Sequence, residues 1–222
     1  LCGGYPVGAR TAAELVESGA LSREEGERLL IFCNNAGPGF LLGICGGAVF
    51  ASPRAGAALY LIHAASALFT GILLTRRLPP LSAPFSAGAA PRRSVSLSAA
   101  LPAAVQGALA GILNVCAFVV FFTVCTRLLL RALPESFAFS LPCALLIGFF
   151  ELTSGVTALP PTRAGFLACA ALLAWGGLSV HCQTLSALSA SALSARYYLR
   201  AKAAQALLSV ILSLPALPFL FP

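Results

Sequence analysis

The run Leu29–Ala51, LLIFCNNAGPGFLLGICGGAVFA, decides how the chain folds. It is uncharged and has the length of a membrane span, which takes about 20 apolar residues. Yet Asn34-Asn35-Ala36-Gly37-Pro38-Gly39 sits in its middle. Pro38 has no backbone donor and its ring clashes with the preceding turn. Gly37 and Gly39 loosen the backbone on either side of it. The run therefore predicts two half-helices with an irregular centre rather than one continuous helix.

The rest of the chain supports a membrane setting for that break. The 222 residues are 59% hydrophobic and 9% charged, against about 25% charged in an ordinary soluble domain. The charges fall between long apolar runs, as in spans joined by wet loops. The alternative, a soluble bundle with an unusually large core, is disfavoured, because a chain of this size cannot hide so much apolar surface from water. The fold class is all-α, a polytopic membrane helix bundle with lipid bilayer as its first partner.

The net charge of +7 comes from arginines in the connections, which fits anionic headgroups and the positive-inside bias. No finger, aromatic platform or basic stripe points to nucleic acid. Eight cysteines occur without a CxxC pair, mostly inside apolar runs, so they read as small buried hydrophobes. There is no metal motif, no cofactor motif and no nucleophile elbow. With no Asp and only His63 and His181, the chain does not read as an enzyme. It contains no Met, so it reads as an N-terminally truncated piece with further helices expected upstream. Residues 1–222 form one membrane domain, with a first half 1–78, a loop 79–98 and a second half 99–222.

Working outward, residues 11–28 hold five of the seven acids and read as a solvated helical hairpin. Gly19 ends its first helix, and the Ser22/Glu25 capping box opens the second. Residues 55–75 read as a plain span in which His63 has no evident partner. The loop 79–98 is rich in Pro, Ser, Gly and Ala and carries Arg92-Arg93. Residues 103–126 form a span whose Gln106 and Asn114 are placed to hydrogen-bond a neighbouring helix. Residues 137–159 read as a re-entrant hairpin with the tip Glu151-Leu152-Thr153-Ser154-Gly155. Residues 163–195 break at Trp175-Gly176-Gly177 and continue with Ser179, His181 and Gln183. A last span, 203–221, is flanked by Arg196, Arg200 and Lys202, with Tyr197 and Tyr198 at the interface. With the 76–98 loop cytoplasmic, ten basic residues lie inside and Arg54, Arg127, Arg131 and Arg163 outside.

Two features recur in kind. The first half has a turn, Gly3-Gly4-Tyr5-Pro6-Val7-Gly8, and then the segment broken at Asn34-Asn35. The second has the tip 151–155 and then the segment broken at 175–177. In the topology above the broken segments cross in opposite senses, as in the inverted repeats of secondary transporters. Irregular backbone at that depth must meet protein or a wet cavity, and half-helix N-termini suit an anionic group. Glu151 is the only acid in a strongly apolar region. It either relays a proton or holds a coupling cation, or it caps the backbone of Thr153-Ser154.

The stretch GGYPVGARTAAELVESGALSREEGERLLIFCNNAGPGFLLG resembles the sporulation integral membrane protein YlbJ family, which carries a nucleoside-recognition or Gate domain. The ELTSG tip at 151–155 and the WGGLSVHCQ run at 175–183 resemble its C-terminal motifs. The likeness spans Leu1 to about Tyr198. It implies a polytopic inner-membrane protein of endospore formers, needed for the spore cortex, that moves dipicolinic acid across the outer forespore membrane. A structural or scaffolding role in spore envelope assembly is the alternative. By this likeness Asn34, Asn35, Gly37 and Pro38 fall in one motif. Glu151, Thr153, Ser154 and Gly155 fall in the second, and Gly176, Gly177, Ser179, His181 and Gln183 in the third. By position and chemistry these thirteen residues are the expected substrate path for a small anionic solute such as dipicolinate.

Overall fold

A computed structural model of the chain describes residues 3–82, 96–138 and 140–221; most of the 79–98 loop, Arg92-Arg93 included, lies outside them. The described residues are helical, with no strand among them. Four stretches among them are long and apolar enough to cross a membrane: Pro53–Thr75, Leu97–Arg131, Arg163–Leu188 and Arg196–Leu220. The chain is an all-α polytopic membrane helix bundle.

Helix α1 (Val7–Glu17) and α2 (Arg23–Cys33) form the expected hairpin. Gly19, at φ 72°, follows the end of α1. Ser22 Oγ accepts from the Glu25 N–H at 3.2 Å, while the Glu25 carboxylate accepts from the Ser22 N–H at 2.8 Å. α1 is not merely a solvated helix, since Ala9, Ala12 and Ala13 pack it into the bundle. The backbone then leaves helical geometry from Asn34 to Gly37. It resumes as a π-helix, Phe40–Val49, ten residues long. α2 starts well before Leu29, so the opening run is the second part of one helix followed by a second, shorter coil.

α3 (Pro53–Thr75) opens on Ser52, whose hydroxyl accepts from the Ala55 N–H at 3.2 Å, with proline at the first turn. α4 (Leu97–Arg131) is 35 residues long. None of its most apolar 18-residue window is buried, whereas 72% of that of Arg163–Leu188 is. α4 therefore lines the outside of the bundle, and Arg163–Leu188 forms its centre. Asn114 does meet a neighbour, accepting from Ser186 Oγ at 3.0 Å. Gln106 does not follow the expectation: it is exposed on α4's outer face.

α5 (Leu141–Phe150) and α6 (Leu152–Thr157) double back on each other, with Glu151 alone at the bend. The approach is so close that a Cβ on Gly155 would lie 2.1 Å from Gly148 Cα. α7 (Arg163–Trp175) and α8 (Gly177–Leu188) are separated at Gly176. α9 (Arg196–Ser213) is followed by a 3₁₀ turn and α10 (Leu217–Leu220). The final span thus begins seven positions before residue 203.

Two ends of the bundle fix the direction of each element. At one end the Glu27 carboxylate accepts from the Ser194 N–H at 3.1 Å, and Arg28 donates to the Pro79 carbonyl. There, too, the Ser82 hydroxyl and N–H hold the exposed Glu24 carboxyl below its ordinary range. At the other end Phe50 meets Phe166 at 5.6 Å and Phe221 at 6.3 Å between ring centroids, and Arg163 Nε donates to the Phe221 carbonyl at 3.1 Å. The α2–π-helix segment runs from the first end to the second, and α7–α8 runs back. Both legs of the α5–α6 hairpin open onto the second end, where Arg131, Ser140, Thr157 and Ala158 surround one hollow.

Candidate functional site

Each interruption lies against the turn of its own half. The α1 N-terminus is closed by Asn34, whose Oδ1 accepts from the Ala9 N–H at 3.3 Å. Gly8 approaches the end of α2 so closely that a Cβ there would sit 2.4 Å from the Cys33 carbonyl oxygen. In the second half Gly176 (φ 92°) and Gly177 (φ 75°) carry the chain from α7 to α8 in the left-handed region, which glycine enters without a Cβ penalty. A Cβ on Gly177 would meet the Gly148 carbonyl at 3.0 Å and the Leu152 nitrogen at 3.1 Å.

Both turns, the first interruption and α8 line one cavity of about 400 Å³. Tyr5 comes from the first turn, Gly37 and Pro38 from the first interruption, Glu151 and Thr153 from the hairpin tip, and Gln183 from α8. Val115 and Val119 of α4 close the remaining side. A second hollow of about 340 Å³ shares Tyr5 and Val115 with it and reaches Arg10 and Gly107. Arg10 is tied to Glu14 at 2.9 Å and donates to the Gly107 carbonyl at 2.7 Å.

Glu151 is 1% exposed. Its two oxygens accept from the Thr153 N–H at 3.0 Å and the Ser154 N–H at 2.7 Å. Of the two roles open from sequence, this is the helix cap. The acid neutralises the partial positive charge of the α6 N-terminus, so that N-terminus is not left free for a solute anion. Ser154 and Gly155 serve the hairpin itself, the latter through its contact with Gly148.

Behind the first interruption lies a buried polar cluster. Asn34 Nδ2 donates to Thr184 Oγ1 at 2.8 Å. Asn35 Oδ1 accepts from Lys202 Nζ and from Gln205 Nε2, each at 3.1 Å. His63 Nε2 accepts from the Ala36 N–H at 3.2 Å. Lys202 also donates to Gln205 Oε1 at 2.9 Å, and Ser209 and Ser66 join their hydroxyls at 2.8 Å. Behind the second interruption the partners are aromatic. Trp175 stacks on Phe149 at 5.4 Å, and its edge contact with His181 is 4.4 Å. His181 Nδ1 and the Tyr198 hydroxyl are 3.1 Å apart, and Ser179 Oγ accepts from Gln183 Nε2 at 3.2 Å.

The structure therefore places Gly37, Pro38, Glu151, Thr153 and Gln183 on the cavity and Asn34, Asn35, Ser179 and His181 one layer behind it. Gly176 and Gly177 act through their backbone. Three expectations are corrected. Lys202 is not a flank of the last span but is 1% exposed in the interior. Tyr198 is not interfacial but fully buried. His63 is not partnerless. The signal for the missed residues was periodic: Lys202, Gln205, Ser209 and Ser213 recur at steps of three and four, as do His63, Ser66 and Thr70, which puts each set on one helix face. All seven are buried.

No family model, curated protein or solved structure matches this chain. Among the described residues no cluster of three or more His, Cys, Asp or Glu side chains is arranged to hold a metal ion.

Proposed function

We propose that the protein is a carrier, or the permease component of one, for a small anionic solute. The observation that supports this most is the convergence of two oppositely directed, interrupted segments and two turns on one 400 Å³ cavity. Small-ligand sites are hollows of about 300–1,000 Å³. Irregular backbone inside a membrane is tolerated where it lines such a hollow. The opposite senses of α2–π-helix and α7–α8, each against its own turn, read as an inverted repeat, with α5–α6 as a re-entrant hairpin. The motif likeness to sporulation membrane proteins makes dipicolinate the solute of choice and the outer forespore membrane the setting. A coupling proton or cation would complete the cycle.

Vesicles reconstituted with the full-length protein should take up labelled dipicolinate faster than empty vesicles. Thr153→Trp places a large side chain at an exposed tip position on the cavity wall, so it should block uptake and leave folding intact. Uptake no faster than in empty vesicles sinks the anionic-solute reading. Normal uptake by the tryptophan variant moves the route out of this cavity.

A further inference from the structure

We propose that Lys202 is the counter-charge for a carboxylate of the solute, and that the Tyr5 ring is the partition the carboxylate displaces to reach it. This rests on the carrier reading and names the group within it that selects charge. The argument begins with what Lys202 lacks. The salt bridges among the described residues are Arg10–Glu14 and Arg23–Glu27, so no carboxylate pairs with Lys202 there. The one acid near the cavity, Glu151, has both oxygens committed to the α6 N-terminus. A lone ammonium buried inside a membrane bundle is expensive, and such residues mark sites where a partner of opposite charge arrives.

A purely structural role does not need this charge. Lys202 holds Asn35 Oδ1, but Gln205 Nε2 already donates to the same oxygen at the same 3.1 Å. A neutral side chain at position 202 would leave the interruption anchored. The position matters more than the bond: Lys202 Nζ lies over the Tyr5 ring, 5.2 Å from its centroid. Tyr5 is half-buried, and it is itself a wall of the cavity. The same ring thus touches both the hollow and the ammonium. Its hydroxyl is tethered to the Leu173 carbonyl at 3.0 Å, and Gly4 before it is at φ 76°. A carboxylate entering the cavity exchanges the cation–π contact for charge-assisted hydrogen bonds, which are the stronger interaction. Asn35 and Gln205 remain as neutral neighbours that hold the ammonium in place. The site selects anions by offering a cation that the described residues leave without a carboxylate.

The test uses the full-length protein with pyridine-2,6-dicarboxylate and its neutral diamide, which has the same ring and similar size. Wild type should take up the dicarboxylate in preference to the diamide, and millimolar dicarboxylate should raise its thermal midpoint. Lys202→Met and Lys202→Gln should fold with a midpoint at or above the wild-type value without ligand. Each should lose at least about tenfold of dicarboxylate uptake and all of the ligand-induced shift. If both variants transport dicarboxylate at the wild-type rate, Lys202 is not the counter-charge and the carrier reading stands. If both fail to fold, the lysine is structural and the proposal is overturned. If wild type moves the diamide and not the dicarboxylate, or moves neither, the anionic-solute reading falls as well.

Discussion

The two interruptions solve one problem by different means. From Asn34 to Gly37 the freed backbone is met by side chains: His63 from α3 accepts the Ala36 N–H, and the Asn35 amide, whose oxygen is held by Lys202 and Gln205 from α9, donates to the Phe32 carbonyl at 2.6 Å. At Gly176-Gly177 the set is smaller, with the Tyr5 hydroxyl donating to the Leu173 carbonyl at 3.0 Å. Two left-handed glycines turn the chain within a single residue, and α8 begins directly against the α5–α6 bend. The first break is wide and depends on side-chain chemistry. The second is tight and depends on the absence of side chains. The wide break lines the cavity from Ala36 to Phe40, whereas the tight one seats α8 against the α5–α6 bend.

That contrast can be broken by substitution, with stability followed by thermal or denaturant unfolding of the purified protein. The largest effect should come from Gly177→Ala. A β-carbon there combines left-handed strain with crowding of backbone atoms at 3.0 and 3.1 Å, for a cost of about 3 kcal/mol. The same change at Gly39 in the first half, where nothing lies within 4 Å of an added Cβ, should stay within about 0.5 kcal/mol. Next comes Asn35→Ala, which strips an acceptor from two buried donors and should cost about 2–3 kcal/mol. Its counterpart Ser179→Ala should cost about 1 kcal/mol, since it frees only Gln183 Nε2. Glu151→Gln keeps one of the two acceptor oxygens of the α6 cap and turns an amide donor toward the other N–H, for about 1–2 kcal/mol. Equal costs at Gly177 and Gly39, or a greater cost at Ser179 than at Asn35, would erase the distinction between the breaks.

The breaks themselves were legible in the sequence, because the helix breakers there are clustered, as Gly37-Pro38-Gly39 and Gly176-Gly177, whereas single ones such as Pro102 and Gly107 are carried within α4. So was the capping box, a local pattern that needs no tertiary partner. The burial of Lys202 was not, because its charge put it with Arg196 and Arg200 at the mouth of the last span. Charge alone does not assign a face. Residues two apart on a helix point about 200° from one another, so Arg200 faces out while Lys202 faces in. His63 was passed over because its partners, Ala36 and the α9 residues, are distant in sequence. Glu151 stayed ambiguous for a related reason. An acid before Thr-Ser is a cap only if the chain bends there, and the bend depends on Gly148 and Gly155 meeting backbone to backbone. Local chemistry was readable, and facing relationships between helices had to come from packing.

The length of α4 sets a different relation, between the molecule and its surroundings. Thirty-five helical residues at 1.5 Å each extend about 52 Å, against a hydrocarbon layer of about 30 Å. Such a mismatch is taken up by tilt or by ends that emerge into the headgroups. α4 is tied to the bundle by polar contacts at Gly107 and Asn114, and its outer face meets lipid. Membrane thickness therefore acts on this helix first. Because Val115 and Val119 sit just past those ties and line the cavity, a change in the tilt of α4 would change the width of the hollow.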